Sequence, residues 1–268
     1  MIMGGKFRIG RILPFAVIVA SALFLSGCDV FSSPQNTFNP GGTVAQQQKD
    51  DFLLVMWPAL VIGVIVFVGI GVIALRFRHK EGDPLPKQIH GNTALELSWT
   101  IIPILLLAVL AVPTVEGIRT LAQDPGPNAL QVKVTGVQWA WLFEYPDIDA
   151  GGAPLSPPVG ELRIPVGQDV RFEIHSQDVN HSFWVPKLAG KTDAIQNHVN
   201  HMWFRADEAG EFSGQCAEFC GLDHYNMRMK IIAMPKEEFD AWIADQQQQA
   251  SARQPAGGAE QLVAGNGE

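Results

Sequence analysis

The stretch CAEFCGLDHYNM, residues 216–227, places two cysteines four residues apart, a histidine four further on and a methionine three beyond that. Strand-like runs frame it, EFSGQC before and MRMKIIAM after, so it reads as a metal-binding loop slung between two β-strands. The chain has only three cysteines in 268 residues, which makes no disulfide framework. The pair therefore needs a chemical reason.

Working outward, LQVKVTGV (130–137) alternates apolar and polar residues as a half-buried strand does. ELRIPV, DVRFEIHS, HSFWV and VNHMWFRA are further strand-like runs, separated by Gly, Pro and Asp. Many short strands with turn signals predict an all-β sandwich or barrel. Trp139, Trp141, Phe143 and Tyr145 alternate, which assigns part of that face to the core. PKEEFDAWIADQQQQ (235–249) reads as a closing amphipathic helix with Pro at its start. The Ala/Gly/Gln-rich tail, 249–268, is expected to be disordered.

Upstream the composition changes. Phe52 to Leu75 holds no charged residue, and as a helix it is ~36 Å long against a hydrocarbon core of ~30 Å. Leu97 to Val115 is a second uncharged run, ~28 Å as a helix, with Pro103 and Pro113 inside it. Residues 52–118 thus predict a transmembrane hairpin. The loop between the runs carries Arg76, Arg78, Lys80 and Lys87, whereas the flank 29–51 has only Lys49. The positive-inside rule puts that loop in the cytoplasm and the domain 119–248 outside. The fold class is α + β: two membrane helices, then a β-sandwich or barrel.

Residues 6–28, KFRIGRILPFAVIVASALFLSGC, have a basic start, an apolar run and small residues at the end, the layout of an export signal over 1–27. The ending LSGC resembles a bacterial lipobox, which implies cleavage before Cys28 and acylation of its thiol, with attachment to membrane lipid. Residues 28–51, polar and rich in Gly, Pro, Gln and Asn, read as a flexible linker. The net charge of −8 argues against a nucleic-acid partner. From residue 116 onward there are 21 acidic and 11 basic residues, so the excess of negative charge lies outside. A like-signed face can steer a basic partner.

Thiolates, a thioether and imidazole are soft or borderline ligands suited to copper(I) and zinc. Two Cys and two His would close a tetrahedral zinc site, and the cysteine and histidine spacing alone leaves zinc open. Three features favour copper: Met227, a common weak copper ligand and a rare zinc one; His181 on an upstream strand-like run; and the export signal. A mononuclear blue site needs one thiolate. Two thiolates four residues apart can bridge two coppers, in a rigid core that shares one electron and changes little on reduction.

With the loop, LELSWTIIP (95–103), VQWAWLFEYP (137–146), DVNHSFWVP (178–186) and GKTDAI (190–195) form an ordered set over residues 52–245. The sequence resembles subunit II of the haem–copper cytochrome c oxidases. The resemblance implies a cupredoxin-like Greek-key domain with a binuclear copper A centre. Its ligands would be His181, Cys216, Cys220, His224, Met227 and the carbonyl of Glu218, whose side chain would also reach a magnesium ion shared with the catalytic subunit I. Trp139 matches the family's electron-entry residue, which takes electrons from a cytochrome c donor. Glu96 reads locally as a helix-end carboxylate; the resemblance makes it a group at the mouth of a proton channel. Lys191 and Asp193 match a segment close to the catalytic subunit's haem propionates. Subunit I, and a subunit III, are the implied partners in a bacterial inner membrane, with the copper domain on the periplasmic side.

Family members often have His where this chain has Val137, which touches no ligand. A covalently attached haem needs Cys-x-x-Cys-His, and none is present, so the donor is expected to be a separate protein. Quinol-oxidising relatives lack the copper ligands, all of which this chain keeps. Two other classes stay open at this level: a membrane-tethered copper-delivery protein and a structural zinc module in a receptor.

Overall fold

A computed structural model describes residue 21 and residues 33–78, 82, 84 and 88–253. The export signal, apart from residue 21, and Cys28 lie outside the described residues. Helix α1 (Thr43–Arg76) and helix α2 (Thr93–Ala122) are both long and apolar enough to cross a membrane. Their side chains project outward along nearly the whole length, as befits surfaces that lipid or protein must cover. The two helices approach closely at Gly117, where a Cβ would sit 2.7 Å from Asp51 Oδ2.

Helix α1 begins at Thr43, not at residue 52, so the expected linker ends at Gly42. The reason is docking. Gly41 N–H donates to the Lys187 carbonyl (2.8 Å), Asp207 N–H donates to the Gly41 carbonyl (2.9 Å), and Ala45 N–H donates to the Leu188 carbonyl (3.2 Å). Val44 and Ala45 are buried, and Thr43 Oγ1 donates to Asp207 Oδ1 at 3.0 Å. With its first turn held, the run AQQQKDD, mostly good helix formers, continues as helix into the apolar segment. The two glycines are here for space. A Cβ at Gly41 would meet Phe212 Cε1 at 2.3 Å, and one at Gly42 would meet the Arg205 carbonyl oxygen at 2.2 Å. Gly42→Ala must displace backbone, and we expect it to destabilise the chain by about 1–3 kcal/mol. Thermal unfolding in detergent checks this; an unchanged melting temperature would contradict the docking.

The rest is a sandwich of two five-stranded sheets. The strands are β1 (Leu130–Val137), β2 (Ala140–Asp149), β3 (Pro154–Leu155), β4 (Glu161–Pro165), β5 (Val170–Ser176), β6 (His181–Trp184), β7 (Lys191–Ala194), β8 (Asn200–Phe204), β9 (Gly210–Cys216) and β10 (Arg228–Met234). One sheet has the order β3-β2-β1-β5-β8 and the other β4-β10-β9-β6-β7, with β1·β5 and β4·β10 parallel. Strand alternation makes the core: Val132 and Val134, Trp141, Phe143 and Tyr145, and Val170, Phe172 and Ile174 all point inward. Phe172 joins the two sheets, its ring centroid 4.4 Å from Phe204 and 5.6 Å from Phe183. Trp139 is outside this alternation, in the β1–β2 turn, and 37% exposed.

Helix α3 (Lys236–Arg253) closes the domain, running four residues beyond the expected boundary at 249. Its Phe239 and Trp242 rings pack edge-on against Tyr145, at 6.2 and 5.9 Å. The Tyr145 hydroxyl donates to the Arg163 carbonyl (2.5 Å) and accepts the Arg163 N–H (3.1 Å); burial pushes its pKa up.

Candidate metal centre

Strand pairing brings the donors together. Strand β6 pairs with β9 so that Phe183 faces Cys216, and the Ala217 N–H to Ser182 carbonyl bond (2.9 Å) extends that ladder. His181, first in β6, is thereby held beside Cys216, last in β9. The Cys216 N–H donates to the Met227 carbonyl (3.0 Å), closing the loop 217–227 at its base. A single 3₁₀ turn, His224–Asn226, turns His224 back toward Cys220.

The Cys216 and Cys220 sulfurs are 3.9 Å apart, and both thiols are free. A disulfide would need ~2.05 Å. Cys216 Sγ lies 3.9 Å from His181 Nδ1 and 3.2 Å from the Glu218 carbonyl oxygen. Cys220 Sγ lies 3.5 Å from His224 Nδ1 and 3.7 Å from Met227 Sδ. The ligand atoms of His181, Cys216 and Cys220 all fall within 4.8 Å of one another. Two thiols four ångström apart would suit one tetrahedral zinc as well as a pair of bridged coppers. The full set offers two thiols, two imidazole nitrogens, a thioether and a carbonyl, two donors more than one zinc needs. Cys216, Cys220, Met227 and His181 are buried, while Phe219, Leu222 and Tyr225 of the same loop are exposed. The donor set thus lies beneath an apolar rim.

Burial raises the Cys216 pKa, but hydrogen bonds from His181 and from the Glu218 and Ser182 backbone outweigh it and bring the thiol down to about 6. Cys220 is pushed up to about 12, by burial and then by the charge on Cys216. A bound cation favours both thiolates, since a coordinating thiol is deprotonated.

Gly136 of β1 lies under the His181 ring: a Cβ there would be 2.8 Å from Cδ2 and 3.0 Å from Cγ. We expect Gly136→Ala to push the ring off its position and weaken metal binding by about tenfold or more. Competition with a chelator measures it, and wild-type affinity would contradict this.

Among the other sequence-predicted residues, Trp139 adjoins the centre, its Nε1–H donating to the Cys220 carbonyl at 3.3 Å. Glu218 is exposed at the loop surface. Lys191 and Asp193 are exposed on β7. Glu96 stands apart, in the first turn of α2. There its Oε1 accepts the Asn92 N–H (3.3 Å), while Asn92 Oδ1 accepts the Leu95 N–H (3.2 Å). That is a reciprocal helix cap. Sequence reasoning missed Asp178 and Gln138, which bond to His181 and to the Cys220 carbonyl. Their signals were the acid three residues before His181 and the Gln before Trp139.

Two sequence models of one family match the chain: "Cytochrome C oxidase subunit II, transmembrane domain" over residues 35–116 and "Cytochrome C oxidase subunit II, periplasmic domain" over 159–234. Cytochrome c oxidase subunit 2 of Alkalihalophilus pseudofirmus is 43% identical over 241 residues, covering 87% of this chain and 67% of that protein. Quinol oxidase subunit 2 of Bacillus anthracis is 31% identical over 253 residues, covering 91% of this chain and 81% of that protein. Among solved structures, the periplasmic domain of subunit II of cytochrome oxidase (CoxB) of Bradyrhizobium japonicum is 33% identical. That alignment has a TM-score of 0.42 and covers 47% of this chain and 99% of that one. The two family models follow one another in the order in which the chain builds its helices and its sandwich, and the chain belongs to the cytochrome c oxidase subunit II family of the haem–copper oxidases.

Proposed function

We propose that this chain is the electron-entry subunit of a cytochrome c oxidase, using a binuclear copper A centre. The convergence of two imidazoles, a thioether and a backbone carbonyl around one pair of thiols carries this reading. Relatives include both cytochrome c and quinol oxidase subunits, and the ligand set favours a cytochrome c donor. His181, Cys216, Cys220, His224, Met227 and the Glu218 carbonyl would hold the two coppers. Bound there, the pair would supply a one-electron relay between the donor and the haem of subunit I, which reduces oxygen to water and pumps protons.

The protein's own contribution is to hold these donors in a buried, preset arrangement, so that little reorganises when the charge changes. Trp139 presents one face to solvent and its Nε1–H to the Cys220 carbonyl, which suits an entry point. The excess acid of the domain would draw a basic cytochrome c toward it. The exposed Glu218 carboxylate is free to reach a magnesium ion shared with subunit I. Lys191 and Asp193 would face that same subunit. Glu96 would serve at a proton-channel mouth in addition to its capping role. Cys28 would carry lipid. The hairpin would sit in the bacterial inner membrane beside subunits I and III, with the sandwich on the periplasmic side.

The test is electron paramagnetic resonance of the full-length chain, purified in detergent and loaded with copper. A seven-line hyperfine pattern, one electron shared by two coppers, supports the reading. A four-line pattern, or preference for zinc, would refute it.

A further inference from the structure

Asp178 lies between β5 and β6, three residues before His181. Its Oδ1 is 2.8 Å from His181 Nε2 and accepts the Val179 N–H at 2.7 Å; its Oδ2 accepts the Gln138 N–H at 2.6 Å. Gln138 sits in the β1–β2 turn and reaches the other way. Its Nε2 donates to the Cys220 carbonyl at 2.6 Å, beside the bond from Trp139 Nε1. One pair of residues thus touches both halves of the donor set, His181 through Asp178 and Cys220 through Gln138.

Each bond has a chemical consequence. A neutral imidazole carries its proton on one nitrogen only. A carboxylate at Nε2 keeps a proton there and leaves Nδ1 as the ring nitrogen turned toward Cys216 Sγ, the one a metal would take. The other tautomer would turn a lone pair toward the carboxylate and an N–H toward the metal. His181 is fully buried, so no solvent stands in for the carboxylate. At Cys220, a carbonyl held by two donors fixes the peptide plane from which the side chain springs. Gly221 makes room for this: its φ is +124°, and a Cβ there would lie 2.9 Å from Gln138 Nε2.

We propose that Asp178 and Gln138 are positioning residues. Together they hold the His181 ring by its Nε2 and fix the Cys220 orientation before metal arrives, and they join the turn carrying Trp139 to the ligands as one body. This rests on the copper reading above, and the experiment separates the two. It uses the full-length chain in detergent, labelled with ¹⁵N-histidine, as wild type, Asp178→Asn and Gln138→Ala. Asparagine offers one acceptor oxygen, which cannot serve both His181 and the Gln138 N–H. In the copper-free wild type we expect the His181 Nε2 to stay protonated and bound to Asp178, and in Asp178→Asn a loss of that state. Both variants are expected to bind copper about 10- to 100-fold more weakly and to show altered hyperfine splitting. Melting of the copper-free chain should be unchanged in Gln138→Ala, whose exposed side chain can be removed with its backbone bond to Asp178 intact. Should Asp178→Asn fail to fold, Gln138→Ala still tests the Cys220 arm. Copper affinity within about twofold of wild type in the folded variants, with splitting unchanged, overturns the proposal, since outer partners of ligands normally cost more than that. A wild-type chain that shows no shared-electron spectrum overturns the copper reading itself.

Discussion

Replacing Cys216 or Cys220 by serine should collapse the two-copper spectrum, turning seven hyperfine lines into four or none, and should reduce cytochrome c oxidation by the assembled enzyme to background. Each sulfur stands between one imidazole and one weak donor, and the two sulfurs face each other. With one gone, neither remaining half holds two soft ions symmetrically, and a serine oxygen is too hard to replace a thiolate for copper(I). The loss should be chemical rather than a failure to fold. Serine is close to cysteine in size, and a hydroxyl at position 216 can donate to the Glu218 carbonyl, which lies 3.2 Å from the present sulfur. Copper content and paramagnetic resonance of the full chain read the outcome. An unaltered spectrum in either variant would rule out bridging.

Trp139→Ala should lower the rate of cytochrome c oxidation by about tenfold or more, the size of a tryptophan hot-spot loss, with the copper spectrum retained. The ring is 37% exposed in a turn, whereas Trp141, two residues on, is fully buried. It therefore offers a donor an apolar face while its Nε1–H touches the ligand loop. Trp139→Phe separates these parts: it keeps the ring and loses the N–H. A phenylalanine variant near wild-type speed assigns the effect to docking; one as slow as alanine assigns it to the bond with Cys220. Stopped-flow oxidation of the donor by the assembled oxidase distinguishes them, and normal turnover in Trp139→Ala would remove the residue from electron entry.

The candidate donors were legible because softness, spacing and a strand–loop–strand frame are local properties of the chain. The same holds for the inward residues of β1 and β5, whose alternation is written in LQVKVTGV and DVRFEIHS. Trp139 shows where alternation stops helping. It is in phase with Trp141, Phe143 and Tyr145, yet the turn before β2 takes it out of the core. Glycine misled in a different way. In FNPGGT it signals flexibility by composition, but Gly41 and Gly42 are there because a phenyl ring and a carbonyl lie too close for any Cβ. The bond between Asp178 and Gln138 was invisible because it reaches 40 residues along the chain.

That docking of Gly41–Ala45 also bears on how the molecule is made. Thr43 and its partner Asp207 are 164 residues apart, and both helices of the hairpin lie between them. The sandwich can complete its wall only after both helices have crossed and delivered the two segments to the same side of the bilayer. A chain with only one of the two helices threaded leaves them in different compartments, with Phe212 and Leu188 uncovered. Correct insertion is in this way a condition of correct folding, and a misthreaded chain exposes its own defect as apolar surface.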